Sequence, residues 1–488
     1  MARASRVAAF GLLAAVLCAA TARRALAGDG QDPKREIAEL KARLSALERR
    51  VREAEGSAVT QDEIATAVER YLGSTGSSFL VGGAESGKAG WPKGKRPFIE
   101  EGPNKLEIGF RSQIRYEAFL YSDDARASTA NDDRPKDRSG FEVETLLIDL
   151  QGTAFSADLS YRLMLNFDSD SGSGIEKRWA YVDWRYTGDH HIRAGQQKVV
   201  HGFEEYASAA TLMFVDRNLA TRAFGCNYDT GLNLWGTFGD ACEAKRFRYG
   251  VQALNGEGRN DISGSVFADA TDKFSDQLLF AAMFEWNITG KEWAWDEVDQ
   301  RPCEDRGRLD ASVGVSGYYE NDDDTHLPSG IPGSLAVKGN GGVGPLTRWG
   351  ANAWFRARWH GFSFQAEYFH RDIDYTAGSP DPDPTDTGAY AQAHYRVANS
   401  PWGLGAKYAI VWADDDYFTA PLEDTFWEAG AVVNYFVEDH AHKVSLDVTR
   451  VVGNSGVNSS SPGYLVNAAR GVVVEDGWLL RLQWQINF

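Results

Sequence analysis

Arg111, Arg115, Arg162, Arg185, Arg193, Arg348, Arg356, Arg358, Arg371 and Arg481 all stand in segments where polar and apolar residues alternate. A guanidinium is permanently charged and presents its donors in a rigid fork. A row of such groups on one polar face could replace part of an anion's hydration shell and pass the ion on, which is permeation chemistry rather than catalysis. The same row could instead brace a sheet by pairing with acids on neighbouring strands. Sorted by alternation, the polar faces hold roughly 16 Lys and Arg against about 11 Asp and Glu. They are modestly basic, although the chain carries a net charge of -18.

Reactive constellations are missing. Among the 9 His, His190-His191 and His440 with His442 fall at expected turns. No HExxH, GxSxG, P-loop or CxxC pattern occurs, and Asp322-Asp323-Asp324 lacks the glycine and terminal glutamate of a calcium-binding loop. The expectation is a chain that is not an enzyme, with no catalytic residue, no metal centre and no cofactor.

The acids concentrate between the alternating segments, at Asp123-Asp124, Asp132-Asp133, Asp322 to Asp324, Asp381, Asp383, Asp386 and Asp414 to Asp416. These positions read as solvated loops, with binding of divalent cations as a lesser role. Such acidity excludes nucleic acid as a partner.

Positioning a polar face beside an apolar one requires strands. Leu106, Ile108, Phe110, Ile114 and Tyr116 alternate with Lys105, Glu107, Arg111, Gln113 and Arg115. At the end of the chain, Trp478, Leu480, Leu482, Trp484, Ile486 and Phe488 alternate with Leu479, Arg481, Gln483, Gln485 and Asn487. Fourteen further segments follow the same rule between them: 140–154, 158–168, 177–187, 190–197, 229–239, 247–256, 276–289, 308–320, 348–359, 362–372, 388–397, 403–413, 425–436 and 442–452. The connections alternate short and long, except that 290–307 is long where a short turn is expected. Aromatic pairs near strand ends, such as Trp184 with Tyr186, Trp354 with Trp359 and Trp412 with Tyr417, suit an interfacial girdle. The fold class is therefore all-β, a 16-stranded antiparallel transmembrane β-barrel preceded by a short N-terminal coiled-coil helix. Its environment would be outer-membrane lipid, and its terminal strand ending in Phe488 would be read by the barrel-assembly machinery.

Residues 1–27 read as a signal peptide, with Arg3 and Arg6 ahead of an apolar run too short to span a bilayer. Its removal, taking four Arg and no acid, brings the net charge to -22. Residues 28–72 form a helical unit in which Ile37, Leu40, Leu44, Leu47 and Val51 repeat as a short coiled coil, and a capping box begins at Thr60. Residues 73–103, rich in Gly, Ser and Pro, suit a flexible linker, and 104–488 is the barrel. Of the 4 Cys, Cys18 would leave with the signal. The strand map favours a Cys242–Cys303 disulfide over Cys226–Cys242.

From about residue 104 onward the chain resembles the phosphate-selective porin O and P family. The resemblance lies in Lys177 to Asp183, Ile192 to Gln196, His201 to Glu205 and Phe214 to Leu219. It implies a homotrimer in the bacterial outer membrane, with the N-terminal segment in the periplasm. It also implies a third loop that folds into the channel and narrows it, bringing Glu204, Glu205, Ser208, Asp216 and Arg217 to the constriction. Arg217 matches a conserved basic position of that loop, and Ser208 one hydroxyl of a Lys-x-x-Ser-Ser-like stretch. Glu205 and Ala209 replace the lysine and the second serine, and Glu142 and Glu144 stand where phosphate-selective members carry paired arginines. The implied function is passive passage of small anions, phosphate among them, or of small polar solutes. The alternative is a tether joining the barrel to the cell wall through the coiled coil.

Overall fold

The computed structural model describes residues 87–91, 96–121, 137–167, 175–239, 247–256, 278–289, 309–322, 346–375, 385–412, 425–452 and 477–488. The expected signal peptide, the coiled coil, Cys242, Cys303, the connection 290–307 and most of the acidic clusters lie outside the described residues.

Two short strands, β1 (Lys88–Gly90) and β2 (Phe98–Glu101), precede sixteen longer ones. These are β3 (Asn104–Tyr121), β4 (Arg138–Ala154), β5 (Ser156–Asn166), β6 (Glu176–Thr187), β7 (His190–Lys198), β8 (Tyr228–Phe238), β9 (Phe247–Leu254) and β10 (Leu279–Asn287). They continue as β11 (Asp310–Asp322), β12 (Leu346–Trp359), β13 (Phe362–Tyr375), β14 (Thr385–Arg396), β15 (Trp402–Trp412), β16 (Thr425–Glu438), β17 (His442–Val452) and β18 (Gly477–Asn487). From β3 onward each strand pairs antiparallel with the next, and β18 returns to β3, from Gly477 opposite Tyr121 to Asn487 opposite Arg111. The barrel is closed with 16 strands, as the alternation required. Closure pairs every strand on both sides, which an apolar medium demands.

Burial is inverted relative to a soluble barrel. On β18, Trp478, Leu482 and Trp484 are 52%, 46% and 48% exposed, whereas Arg481, Gln483 and Gln485 in the opposite phase are buried. Trp349 and Trp359 both face outward from β12, ten residues apart. At about 3.3 Å per residue and a tilt of about 40°, they are about 25 Å apart along the barrel axis, the height of a membrane barrel's apolar band. Trp184, Phe362, Tyr395, Trp402 and Trp484 extend the lower aromatic row at the end of the short turns; Tyr319, Trp412 and Trp478 extend the upper one. Trp354 departs from the expected girdle. It faces inward, 4% exposed, and packs on Phe203.

The segment 73–103 also departs from a free linker in its described part. The first residues of β3 run past the end of β18, so their backbone groups need another partner. β2 supplies it, with Phe98 opposite Glu107 through Glu101 opposite Asn104, and β1 pairs with β2 in turn. Pro97 O accepts from Ile108 N at 3.0 Å, and the Trp91 ring lies 5.4 Å from that of Phe488.

Candidate functional site

The connection between β7 and β8, residues 199–227, runs through the barrel interior. Its sequence explains why: Val199, Val200, Phe203, Leu212, Met213 and Phe214 would be a costly apolar surface in water. They are buried instead, against Leu254, Leu279, Met283, Tyr318 and Trp354 on the facing strands. Gly202 turns the chain inward at φ 80°, a conformation that disfavours any side chain, and a Cβ there would crowd the Phe369 ring at 3.2 Å.

The segment holds a short helix α1 (Phe203–Tyr206), a 3-10 turn at Ala209–Thr211 and a second helix α2 (Leu219–Phe224). The first backbone N–H groups of a helix lack partners within it. Here the opposite wall provides them. Glu367 on β13 accepts from Phe203 N and Glu204 N, both at 2.8 Å, and Glu428 on β16 accepts from Leu219 N at 2.8 Å. Carbonyls are anchored in the same way. Gln485 donates to Ala210 O at 2.9 Å, Lys443 to Leu212 O at 2.9 Å, Asn434 to Met213 O at 3.1 Å and Arg371 to Ala223 O at 3.1 Å. The connection thus touches walls on both sides of the barrel.

Of the five residues expected at the constriction, Glu204, Glu205 and Arg217 contact one another, while Asp216 and Ser208 contact arginines of the wall. Arg217 bonds Glu204 O at 3.1 Å and Ala207 O at 3.0 Å, and pairs with the Glu205 carboxylate at 3.3 Å. A cation at the carbonyl end of α1 suits the polarity there. The Glu204 carboxylate accepts from Asn218 N at 3.1 Å and from Gln392 at 3.1 Å. Asp216 lies 3.5 Å from Arg481 and 4.0 Å from Arg115. Ser208 Oγ accepts from Arg111 Nη2 at 3.0 Å.

The wall arginines do not form the open ladder that alternation alone suggested. Arg193 lies directly opposite Asp183, Arg348 opposite Glu320, Arg358 opposite Asp310, Arg371 opposite Asp386 and Arg481 opposite Asp447, and each pair is in contact. Arg356 reaches past Ser312 to Glu285 at 2.7 Å, and Arg162 grips Asp149 with two hydrogen bonds. Arg115 is surrounded by Glu117, Glu142 and Glu144, between 3.4 and 3.8 Å away. Two placements differ from the sequence reading. Arg185 is half exposed at the rim, where the short turn ends its strand, and pairs with Asp158. Asp386, expected in a solvated loop, is buried in β14 because its alternation phase points it at Arg371.

Arg111 and Lys198 differ from these pairs in having neutral partners. Arg111 donates to Asn487 and Ser208, and Lys198 to the carbonyls of Glu205 and Ala207. Arg178 and Arg162 lie within electrostatic reach of Arg111, with Asp149 as the opposing acid, and Arg217 and Arg178 within reach of Lys198, with Glu205 opposing. Cation density therefore gathers where residues 199–227 meet β3, β6 and β7. Beside it, Trp179, Tyr181 and Trp235 pack around Arg193, whose guanidinium sits 4.1 Å from the Tyr181 ring centre. Cys226 is a buried free thiol.

Glu367, Glu428, Lys198, Lys443 and Gln485 were not singled out by sequence reasoning. Their only signal is a polar residue at an inward phase; apart from Lys198, whose partners are seven and nine residues on, the partner is far along the chain, 164 residues away for the Glu367 bond to Phe203.

A family model for phosphate-selective porin O and P matches residues 114–455. Among solved structures, an anion-selective porin from Comamonas acidovorans aligns at 10% identity and TM-score 0.49, covering 79% of this chain and 100% of that one. OprB of Pseudomonas putida aligns at 13% identity and TM-score 0.49, covering 78% and 94%. OmpT of Vibrio cholerae aligns at 11% identity and TM-score 0.48, covering 80% and 100%. No curated protein sequence matches.

Proposed function

The chain belongs to the phosphate-selective porin O and P family, a porin of the bacterial outer membrane, and from that premise we propose that it passes small anions passively through a lumen constricted by residues 199–227. The observation that carries this reading is the balance of charge. Arg162, Arg193, Arg348, Arg356, Arg358, Arg371 and Arg481 on the inner wall are each in contact with an acid, whereas the hydrogen-bond partners of Arg111 and Lys198 beside the loop are neutral, with Asp149 and Glu205 only within electrostatic reach. An anion passing there meets the field of two buried cations whose direct partners carry no charge. Glu142 and Glu144 draw Arg115 out of that set, which favours general anion passage over a dedicated phosphate site. By this reading the short turns and the N-terminal segment face the periplasm, the long connections face outward, and three copies assemble.

Reversal potentials of the purified protein in planar bilayers under a KCl gradient test the proposal. A Cl⁻/K⁺ permeability ratio above one is expected, with phosphate reducing the chloride current only at concentrations comparable to chloride. A ratio at or below one would overturn the anion reading. The tether reading gains support from β1 and β2, which would carry a pull on the N-terminal segment into β3. Deleting 28–84 while leaving these strands should then loosen the envelope without changing conductance; an unaltered envelope removes the tether.

A further inference from the structure

Arg96 belongs to no barrel strand, yet its side chain enters the barrel. It lies between β1 and β2, which are fixed to the start of β3 by strand pairing and by Trp91 on the Phe488 ring. The opening it uses is Gly109. That residue faces inward on β3, and a Cβ there would stand 2.9 Å from Arg96 Cζ and 3.1 Å from its Nε. Through this gap Arg96 Nη2 reaches Asp149 at 2.8 Å. Asp149 is already held by Arg162 Nε at 3.0 Å and Nη2 at 2.8 Å. One carboxylate therefore serves two guanidiniums. Arg96 Nη1 is buried and has no acceptor among the described residues.

Without Arg96, Asp149 and Arg162 would be a neutral brace like the other cross-strand pairs. With it, the group carries one net positive charge, within electrostatic reach of Arg111; Glu107, the other carboxylate in reach of Arg96, is itself paired with Lys105 at 2.5 Å and leaves that sum unchanged. We infer that Arg96, supplied by the segment ahead of the barrel, is a selectivity-determining residue that turns this brace into a cationic station on the inner wall. A fixed charge on a channel wall acts on every passing ion and falls off within about 8 Å at physiological salt, so one charge at this position shifts selectivity measurably.

The inference rests on the channel reading, and its direction of effect on the anion reading. The test is the reversal potential of the full-length protein and its variants in planar bilayers under a KCl gradient. Arg96→Gln should lower the Cl⁻/K⁺ ratio by about twofold, and Arg96→Lys should keep it. Asp149→Asn should raise the ratio, and the double variant should return to the wild-type value, because its net charge does. An unchanged ratio in Arg96→Gln, or a double variant that tracks Arg96→Gln, overturns the inference. If the wild-type channel proves cation selective, the anion reading fails alone, since Arg96→Gln must still move the potential toward cations.

Discussion

At the scale of single residues, arginines of one type do two different jobs. Arg371 is buried against Asp386 and donates to Ala223 O, so removing it takes a cation from beside a buried carboxylate and one anchor from the connection. Arg371→Gln should therefore destabilise the barrel by about 3–5 kcal/mol, read as a lower temperature for loss of the compact form on unboiled gels, with little change in ion preference. Arg111→Gln should do the reverse, because its partners are neutral: a Cl⁻/K⁺ ratio lower by about two- to threefold with unaltered stability. A shared loss of stability in both variants would refute this division. Alternation made the inward phase of each arginine legible at the outset. It could not say which ones were already matched, because pairing depends on the register between strands. Arg185 shows the limit of phase alone, since one step from a turn an inward residue is in solvent.

Among the elements, the interior connection is bound by the barrel wall more than by its own helices, which are too short to be stable alone. Glu367 and Glu428 each hold a helix start. Replacing both with Ala removes these acceptors, at about 1–2 kcal/mol each, and should release the segment from the far wall. Single-channel recordings should then show a larger and noisier conductance; a quiet trace of wild-type size would mean that other anchors suffice. The family resemblance pointed to the loop, and its apolar composition agreed. Its route was not legible, because the partners that fix it lie on β13, β16, β17 and β18, far along the chain.

At the scale of the whole molecule, the described barrel is an inside-out solution to burial: apolar residues outward, and a charged and hydrogen-bonded inner wall that holds one apolar cluster beneath the interior connection. The strand count was legible because one period repeats without interruption; β1 and β2 were not, since a Gly- and Pro-containing stretch carries no such period. Val315, 55% exposed in the middle of β11, should accept apolar exchange freely, whereas Val315→Arg should cost about 2–4 kcal/mol in folding into lipid bilayers. Equal stability of the two would argue that this face does not meet hydrocarbon.

The interior connection is gripped largely by its main chain: the N–H groups of Phe203, Glu204 and Leu219, and the carbonyls of Ala210, Leu212, Met213 and Ala223. Such groups are the same whatever side chain they carry. Mutation can therefore rewrite the chemistry this connection shows to a passing solute while its course stays fixed, so that new permeant preferences can evolve on an unchanged frame.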